Sequence, residues 1–175
     1  MTRSFACSIV ALALVGCGGD DDEPPRLCTD QFPVAFQEWP AGRGPLPWPV
    51  ILQNVGNGTL EISSIEVRGD VNCSLVDPPQ LDVDLPAELT SEDQAILRIN
   101  YQAGGDPSAP VGTYDNFAIV ITSNSATEKE GDSPQCGSLP VYQLSVCGCV
   151  VDPDEEDPPP CECNLTTVPE ENCPG

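Results

Sequence analysis

The chain has 175 residues, with 28 acidic and 6 basic side chains and no histidine, so its formal net charge is −22. A protein this acidic is repelled by nucleic acid and by anionic lipid surfaces, and we expect no nucleic-acid partner. The lack of histidine removes the commonest general base and the Ser-His and Cys-His nucleophile pairs, and no pattern predicts a catalytic residue or a cofactor.

The first residues have the composition of an export signal. Arg3 gives a short basic start, and the almost wholly apolar run from Phe5 to Val15 follows it. This run is too short to span a bilayer, which needs about 20 residues. We therefore predict a signal peptide at residues 1–16, with removal of this segment on export.

The signal ends in Leu14-Val15-Gly16-Cys17, which resembles a bacterial lipobox. The resemblance implies cleavage before Cys17 and diacylation of its thiol, so that the chain is held at the membrane by an N-terminal lipid. Gly18 rather than aspartate follows Cys17. By the sorting rule of the enteric lipoproteins that this segment resembles, this implies the outer membrane, at its periplasmic face or on the cell surface. The alternative is a plain secretory signal with an incidental cysteine.

Residues 17–30 begin with the sequence GGDDDEPP after Cys17. Four consecutive acids repel one another and have no apolar neighbour to bury, so we predict a disordered acidic tether. A calcium site is the weaker alternative, because contiguous acids without a turn seldom converge on one ion.

Residues 31–149 contain short alternating runs with turn residues between them, as is typical of β-strands. Uninterrupted helical periodicity is lacking, and 20 prolines disfavour helix. We predict an all-β fold, a single antiparallel immunoglobulin-like β-sandwich of about seven strands, plus a disulfide-linked irregular tail. The predicted strands are Pro33–Phe36, Val50–Val55, Leu60–Val67, Cys73–Val76, Ala95–Tyr101, Tyr114–Thr122 and Val141–Cys147.

The strongest local signal is the segment Pro49–Gly69. Two β-branched, apolar runs flank the turn cluster Gly56-Asn57-Gly58-Thr59. Glycine and asparagine accept the positive φ of a tight reversal, so the segment predicts a β-hairpin. In its second strand the apolar residues change parity after Ile62, and a bulge at Ser63-Ser64 would restore one inward face.

Side-chain alternation predicts the core, because residues two apart in a strand share a face. Trp39 and Trp48 fall outside the inward sets; we expect them to cap one end of the sandwich, with a ligand-stacking platform as the alternative. The predicted inward residues are Val50, Leu52, Ala95, Leu97, Ile99, Tyr101, Phe117, Ile119, Ile121, Tyr142, Leu144 and Val146.

Several of these motifs, taken in order, resemble the ASH family, immunoglobulin-like domains related to major sperm protein and often labelled choice-of-anchor D domains. The resemblance spans roughly residues 33–147, but the usual Pro-Gly turn is replaced by Thr90–Asp93, and an enlarged loop follows Asn124. It implies protein–protein or envelope contacts. The motifs are Asn54-x-Gly56, Leu60-x-Ile62, Ile65 with Val67, Leu97-x-Ile99-x-Tyr101, Gly112-x-Tyr114 and Ile119-x-Ile121-x-Ser123-Asn124.

Residues 150–175 form an acidic tail rich in proline and cysteine, too polar to join the core. Besides Cys7 in the leader and Cys17, eight cysteines remain, an even number that indicates up to four disulfides in an exported chain. These candidates are Cys28, Cys73, Cys136, Cys147, Cys149, Cys161, Cys163 and Cys173.

Spacing restricts their pairing. The two thiols of a Cys-x-Cys motif in a strand stand about 6.6 Å apart, whereas a disulfide needs Cβ atoms about 3.5 to 4.5 Å apart. Neither Cys147-Gly148-Cys149 nor Cys161-Glu162-Cys163 should therefore close on itself. Cys147 has outward parity, so we expect Cys147 or Cys149 to join Cys161, Cys163 or Cys173 and to fix the tail to the last strand.

Two functions remain open. The first is a lipid-anchored, non-catalytic envelope protein that binds an unknown envelope or extracellular protein through its immunoglobulin-like domain. The alternative is a metal-handling protein whose acidic, cysteine-rich tail holds calcium or a soft metal, although we assign no metal ligand. An enzyme is the weakest interpretation, since the acid pair Asp82-Val83-Asp84 fits an exposed strand face and the one lysine, Lys129, lies in an acidic loop.

Overall fold

Nine β-strands and one short 3-10 helix, Ala103–Gly105, form in the part of the chain that our computed structural model describes. The described residues are 24–126, 135–136, 141–156, 163 and 171–173. The predicted leader and the start of the predicted tether lie outside them. The strands are β1 Leu27–Thr29, β2 Val34–Pro40, β3 Leu46–Asn54, β4 Leu60–Arg68, β5 Gln80–Leu81, β6 Ala87–Leu89, β7 Gln94–Tyr101, β8 Tyr114–Ser123 and β9 Val141–Val151.

The strands make two sheets that pack face to face. The four-stranded sheet has the order β1-β3-β7-β5, and the five-stranded sheet has the order β2-β9-β8-β4-β6. The apolar inner faces of both sheets form one core. This arrangement confirms the predicted all-β, immunoglobulin-like sandwich, with two short strands and β1 in addition to those expected.

The predicted hairpin is wrong. Strand β3 pairs with β1 and β7, whereas β4 pairs with β6 and β8, so the turn after Asn54 carries the chain from one sheet to the other. The glycines of this turn allow the N-terminal residues Pro24 and Pro25 to approach its backbone closely, and they do not form a tight reversal between paired strands. A Cβ at Gly56 would collide with the Pro24 carbonyl, and one at Gly58 would press on Pro25.

The predicted side-chain phase is confirmed. Every inward residue assigned by alternation is buried, and Leu97, Ile99, Phe117 and Ile119 are fully buried. The register of β4 against β8 shifts between Ile62 and Ser64, which is the predicted bulge. As a result Leu60 and Ile62 before the bulge, and Ile65 and Val67 after it, all pack against the core.

Two expectations about strands need correction. Strand β2 runs parallel to β9, so the sandwich is not wholly antiparallel. Residues 73–76 form no strand; Leu75 makes only an isolated bridge to Tyr101. The predicted strand at Cys73–Val76 is wrong: the N–H groups of Ser74 and Leu75 bond the Asp70 carboxylate. Only Ser74 O and Val76 N bond the chain at the end of β7.

The domain also extends beyond the predicted boundaries. Leu27–Thr29, assigned to the tether, is strand β1, and all three of its residues are buried. They are held because β1 pairs with the end of β3 and Cys28 bridges to Cys136. At the other boundary, β9 continues through Val150 and Val151, which are buried, so the tail starts after residue 151.

The two tryptophans lie on either side of the loop 41–45, Trp39 near the end of β2 and Trp48 near the start of β3, and both pack on the core. Trp39 is buried and contacts Phe36 and Tyr101 edge to face. Trp48 is half-buried, packs on Phe36, and its Nε1 donates to Gln31 Oε1 at 2.7 Å. The buried Trp39 ring is not accessible as a ligand platform, and Arg43 covers it at 4.7 Å.

We expect Leu97→Asp to unfold the domain, because it buries an unpaired carboxylate at a fully buried position of β7. The loss should exceed roughly 4 kcal/mol of unfolding free energy, at the extreme of single substitutions. Urea denaturation followed by tryptophan fluorescence measures it. Gln94→Asp, at an exposed position of the same strand, is the matched control and should change stability little; equal effects would contradict the assigned core.

Candidate binding surface

The outer face of the five-stranded sheet is covered at β8 and β9. Ala118, Val120, Ser145 and Cys147 point away from the core by strand alternation, yet each is 5% exposed or less. Cys147 is joined to Cys163, which places this residue of the tail against the sheet. The predicted outward parity of Cys147 and its link to the tail are both confirmed.

Two further disulfides tie distant segments together. Cys28 of β1 is joined to Cys136, with Cα atoms 4.0 Å apart, and Cys73 is joined to Cys173, with Cα atoms 5.3 Å apart. Cys149 is also disulfide-bonded. Disulfides form and persist in oxidising compartments, so they indicate an exported protein. Among the described cysteines, these bonds include Cys163 and Cys173 of the tail.

The described residues contain no group of three or more Cys, Asp or Glu side chains arranged to hold a metal ion. Asp82 and Asp84 are exposed, and Asp82 Oδ1 accepts the backbone N–H of Ile96 at 2.7 Å, so it caps the edge of β7. Lys129 and most of the acidic tail lie outside the described residues.

The chain enters the sandwich at one end. Pro24–Arg26 lie beside the turn after β3, with Val55 N donating to Arg26 O at 2.9 Å and Ala126 N donating to Pro25 O at 2.8 Å. Strands β3 and β8 finish at this entry end. The loops around residues 41–45, 69–74 and 102–113 therefore lie at the opposite end, which we call the distal end.

A buried carboxylate organises the distal end. Asp115 is 2% exposed, and its Oδ2 accepts the Tyr101 hydroxyl at 2.6 Å and the Gly104 N–H at 2.9 Å. Its Oδ1 accepts Asn72 Nδ2 at 2.7 Å. Burial, with the Asp115 charge, raises the pKa of Tyr101, so the hydroxyl stays protonated and donates. The Asp115 carboxylate thus fixes three segments: the end of β7, the loop that follows it and the loop after β4.

A second carboxylate shapes the loop after β4. Asp70 is 5% exposed and accepts the N–H groups of Ser74 at 2.7 Å and Leu75 at 2.9 Å. Burial and, less strongly, the Asp115 charge raise the pKa of Asp70, while the two backbone hydrogen bonds lower it in part. Both acids are enclosed and occupied by donors, so they hold loops in place and do not face a substrate.

These loops present apolar side chains to solvent. Val71 is 50% exposed, Val111 54% and Tyr114 38%. Asn72 Nδ2 also donates to Tyr114 O at 3.1 Å, which links the loop after β4 to the start of β8. The distal end therefore carries three exposed apolar side chains beside loops that buried hydrogen bonds hold in place, as binding surfaces commonly do.

The sequence pattern does not predict this surface. Tyr101 and Tyr114 fit the pattern only as strand residues, and no motif marks Asp70, Asn72 or Asp115. Aspartate and asparagine near strand ends are common turn residues, so their types alone do not show that they converge.

Comparison of the sequence with protein-family models gives no match. Comparison with curated proteins also gives no match. Among the described residues, no helix has the length and apolar character needed to cross a membrane.

Solved structures with similar folds have low sequence identity. One is WR4, a C. elegans MSP family member, at 12% identity and a TM-score of 0.38, covering 71% of this chain and 97% of that one. Another is the CsuC–CsuE chaperone–tip adhesion subunit pre-assembly complex from Acinetobacter baumannii Csu pili, at 14% identity and a TM-score of 0.39, covering 71% and 56%. At these TM-scores the fold assignment depends on the strands and their pairing.

We expect peptide mapping of the non-reduced protein to recover Cys28–Cys136, Cys73–Cys173 and Cys147–Cys163. Cleavage after Glu155 and Glu156 should leave the C-terminal peptide attached until reductant is added. Since Cys149 is bonded as well, we predict that its partner is the remaining cysteine, Cys161. Release of the C-terminal peptide without reductant would show that the tail is not fixed to β9.

Proposed function

We propose that this is a lipid-anchored, non-catalytic protein of the cell envelope whose immunoglobulin-like domain serves as a protein-binding or scaffolding module. The observation that carries the proposal is the exposed apolar group Val71, Val111 and Tyr114 at the distal end. The ASH-like motifs of the sequence point in the same direction, although fold alone does not determine function.

The position of the chain entry supports the proposed anchoring. Cys17 precedes Pro24 by seven residues, so a lipid on Cys17 would hold the entry end near the membrane. The distal end would then face away from the lipid surface. Acidic residues of the tether would be repelled by anionic headgroups, which favours the same orientation.

The charges around the distal end indicate the kind of partner. Asp106, Asp152, Asp154 and Glu155 are all exposed near the loops and the end of β9 that form this end. Exposed apolar side chains at an end that also carries these acidic residues fit a protein surface with apolar and basic side chains, because such complementarity speeds association and excludes wrong partners. The same charge disfavours nucleic acid.

We predict that Cys17→Ser abolishes membrane anchoring, because serine provides no thiol for the lipid. The measurement is detergent partitioning of the protein from intact cells together with the mass of its N-terminal peptide. The variant should appear as uncleaved precursor or soluble protein. A parent protein whose mature N-terminus lies downstream, or whose Cys17 is unmodified, would contradict the lipid anchor.

We predict that Val111→Asp reduces crosslinking of the protein to its partner in intact cells. Replacing an apolar contact by a charge should lower the yield roughly tenfold, equivalent to about 1.4 kcal/mol of binding. Val55→Asp is the matched control, since Val55 is also an exposed valine, 44% against 54%, but lies at the entry end. If both variants keep the crosslink, or if Val55→Asp alone loses it, the distal end is not the binding surface.

A further inference from the structure

The outer edge of β4 is covered along only part of its length. Strand β6 pairs with Leu60–Ile62, and beyond Ile62 no described strand lies on that side of β4. The bulge shifts the backbone phase by one residue. Val67 then directs its carbonyl away from β8, where it accepts a hydrogen bond from outside the sheet. The segment from Ile65 to Arg68 is therefore an edge capable of strand pairing.

Two C-terminal residues cover this edge. Asn172 Nδ2 donates to Val67 O at 2.8 Å, and Asn172 Oδ1 accepts the N–H of Asp70 at 3.2 Å. Cys173 N donates to Asp70 O at 2.7 Å, and its disulfide to Cys73 holds both residues in place. A carboxamide offers a donor and an acceptor, as one residue of a paired strand does. Among the described residues, the cover of this edge thus provides the hydrogen-bonding groups of about one strand residue.

The charges of the segment from Ile65 to Arg68 are complementary to those of a second, antiparallel copy of the same segment. Glu66 and Arg68 lie on the solvent side of β4, with side chains 59% and 54% exposed, and form an exposed ion pair with each other at 3.8 Å. In an antiparallel pair of two β4 strands centred on Val67, Glu66 of one copy faces Arg68 of the second copy, and this happens twice. Arg68 is one of only 6 basic residues in the chain, so this register gives the opposite-charge contacts that two copies of net charge −22 otherwise lack.

We propose that the β4 edge is a pairing surface for a second copy of this chain, covered by Asn172 and Cys173 while the Cys73–Cys173 disulfide is intact. Pairing centred on Val67 makes it a hydrogen-bonded pair, since its backbone groups face the edge. The five-stranded sheets of the two copies then become one continuous sheet. This inference does not depend on the proposed anchoring or on the distal surface.

The test compares the mass of variants of the full chain, exported to an oxidising compartment, purified in mild detergent and measured by light scattering with the detergent subtracted. The parent should be monomeric. Cys73→Ser with Cys173→Ser removes the disulfide without leaving a free thiol, and should double the protein mass. Adding Arg68→Glu places like charges opposite each other and should raise the dimer dissociation constant roughly tenfold, or about 1.4 kcal/mol. Adding Glu66→Arg as well restores opposite charges and should restore the dimer.

Asn124→Ala is the matched control. Asn124 Oδ1 accepts Glu61 N at 2.8 Å and its Nδ2 donates to Thr59 O at 3.1 Å, so it too pairs a side-chain amide with backbone groups at β4. It does so on the side of β8, and its loss should leave a monomer. The proposal is overturned if the double serine variant stays monomeric, or if Arg68→Glu leaves its dimer dissociation constant unchanged.

Should the double serine variant fail to fold, as judged by its near-ultraviolet circular dichroism, Asn172→Ala provides the second measurement. This variant keeps the disulfide and removes both side-chain hydrogen bonds to the edge. A concentration-dependent dimer that Arg68→Glu reverses supports the proposal. A monomer at every concentration measured overturns it.

Discussion

The packing of Tyr101 is the contact on which the rest of the structure depends. Its fully buried ring stacks on Phe36 at 3.9 Å and meets Trp39 edge to face at 5.1 Å, so β7 of one sheet is fixed against β2 of the other. The hydroxyl crosses to Asp115 on β8. Gly148 on β9 is required there, because a Cβ would collide with that hydroxyl. The Tyr101 side chain therefore connects four strands. It also explains why the middle residue of the motif Cys147-Gly148-Cys149 is glycine.

This contact also couples the core to the distal surface. A buried carboxylate is stable only when its oxygens are fully bonded, and leaving one donor out costs about 1–3 kcal/mol. Asp115 meets that condition through Tyr101, Asn72 and Gly104, whose φ of 67° is the left-handed conformation that glycine adopts freely. The loops that expose Val71 and Tyr114 are therefore held by an interior hydrogen-bond network, and their order should depend on packing as much as on local sequence.

Much of the core could be predicted from sequence, because strand alternation is a local property: the inward phase of Leu97 and Ile99 and the bulge after Ile62 follow from it. Pairing is not local. Glycines at the turn after β3 fit a hairpin, yet they admit the N-terminal residues Pro24 and Pro25, and the strands belong to different sheets. The distal surface could not be predicted, since Asp115 gains its partners from distant loops. The outward parity of Cys147 was readable from the strand, but nothing local selects Cys163 as its partner.

Two sheet edges are protected from further strand pairing in different ways, one by its own residues and one through a disulfide. On β3, Ile51 directs its N–H to Asp30 Oδ1 at 2.8 Å, so alternation places the nitrogens of Pro47 and Pro49 at the same edge. Proline offers no N–H there, and the edge is protected by its own residues.

On β4 the corresponding edge carries Val67, which retains its backbone N–H and C=O groups. Asn172, near the C-terminus, covers this edge by donating to Val67 O. The contact of the Asn172 carboxamide with this edge is stable only if another bond holds Asn172 in place. The disulfide from Cys173 does this, so protection of the second edge depends on the oxidising compartment that the disulfides already indicate.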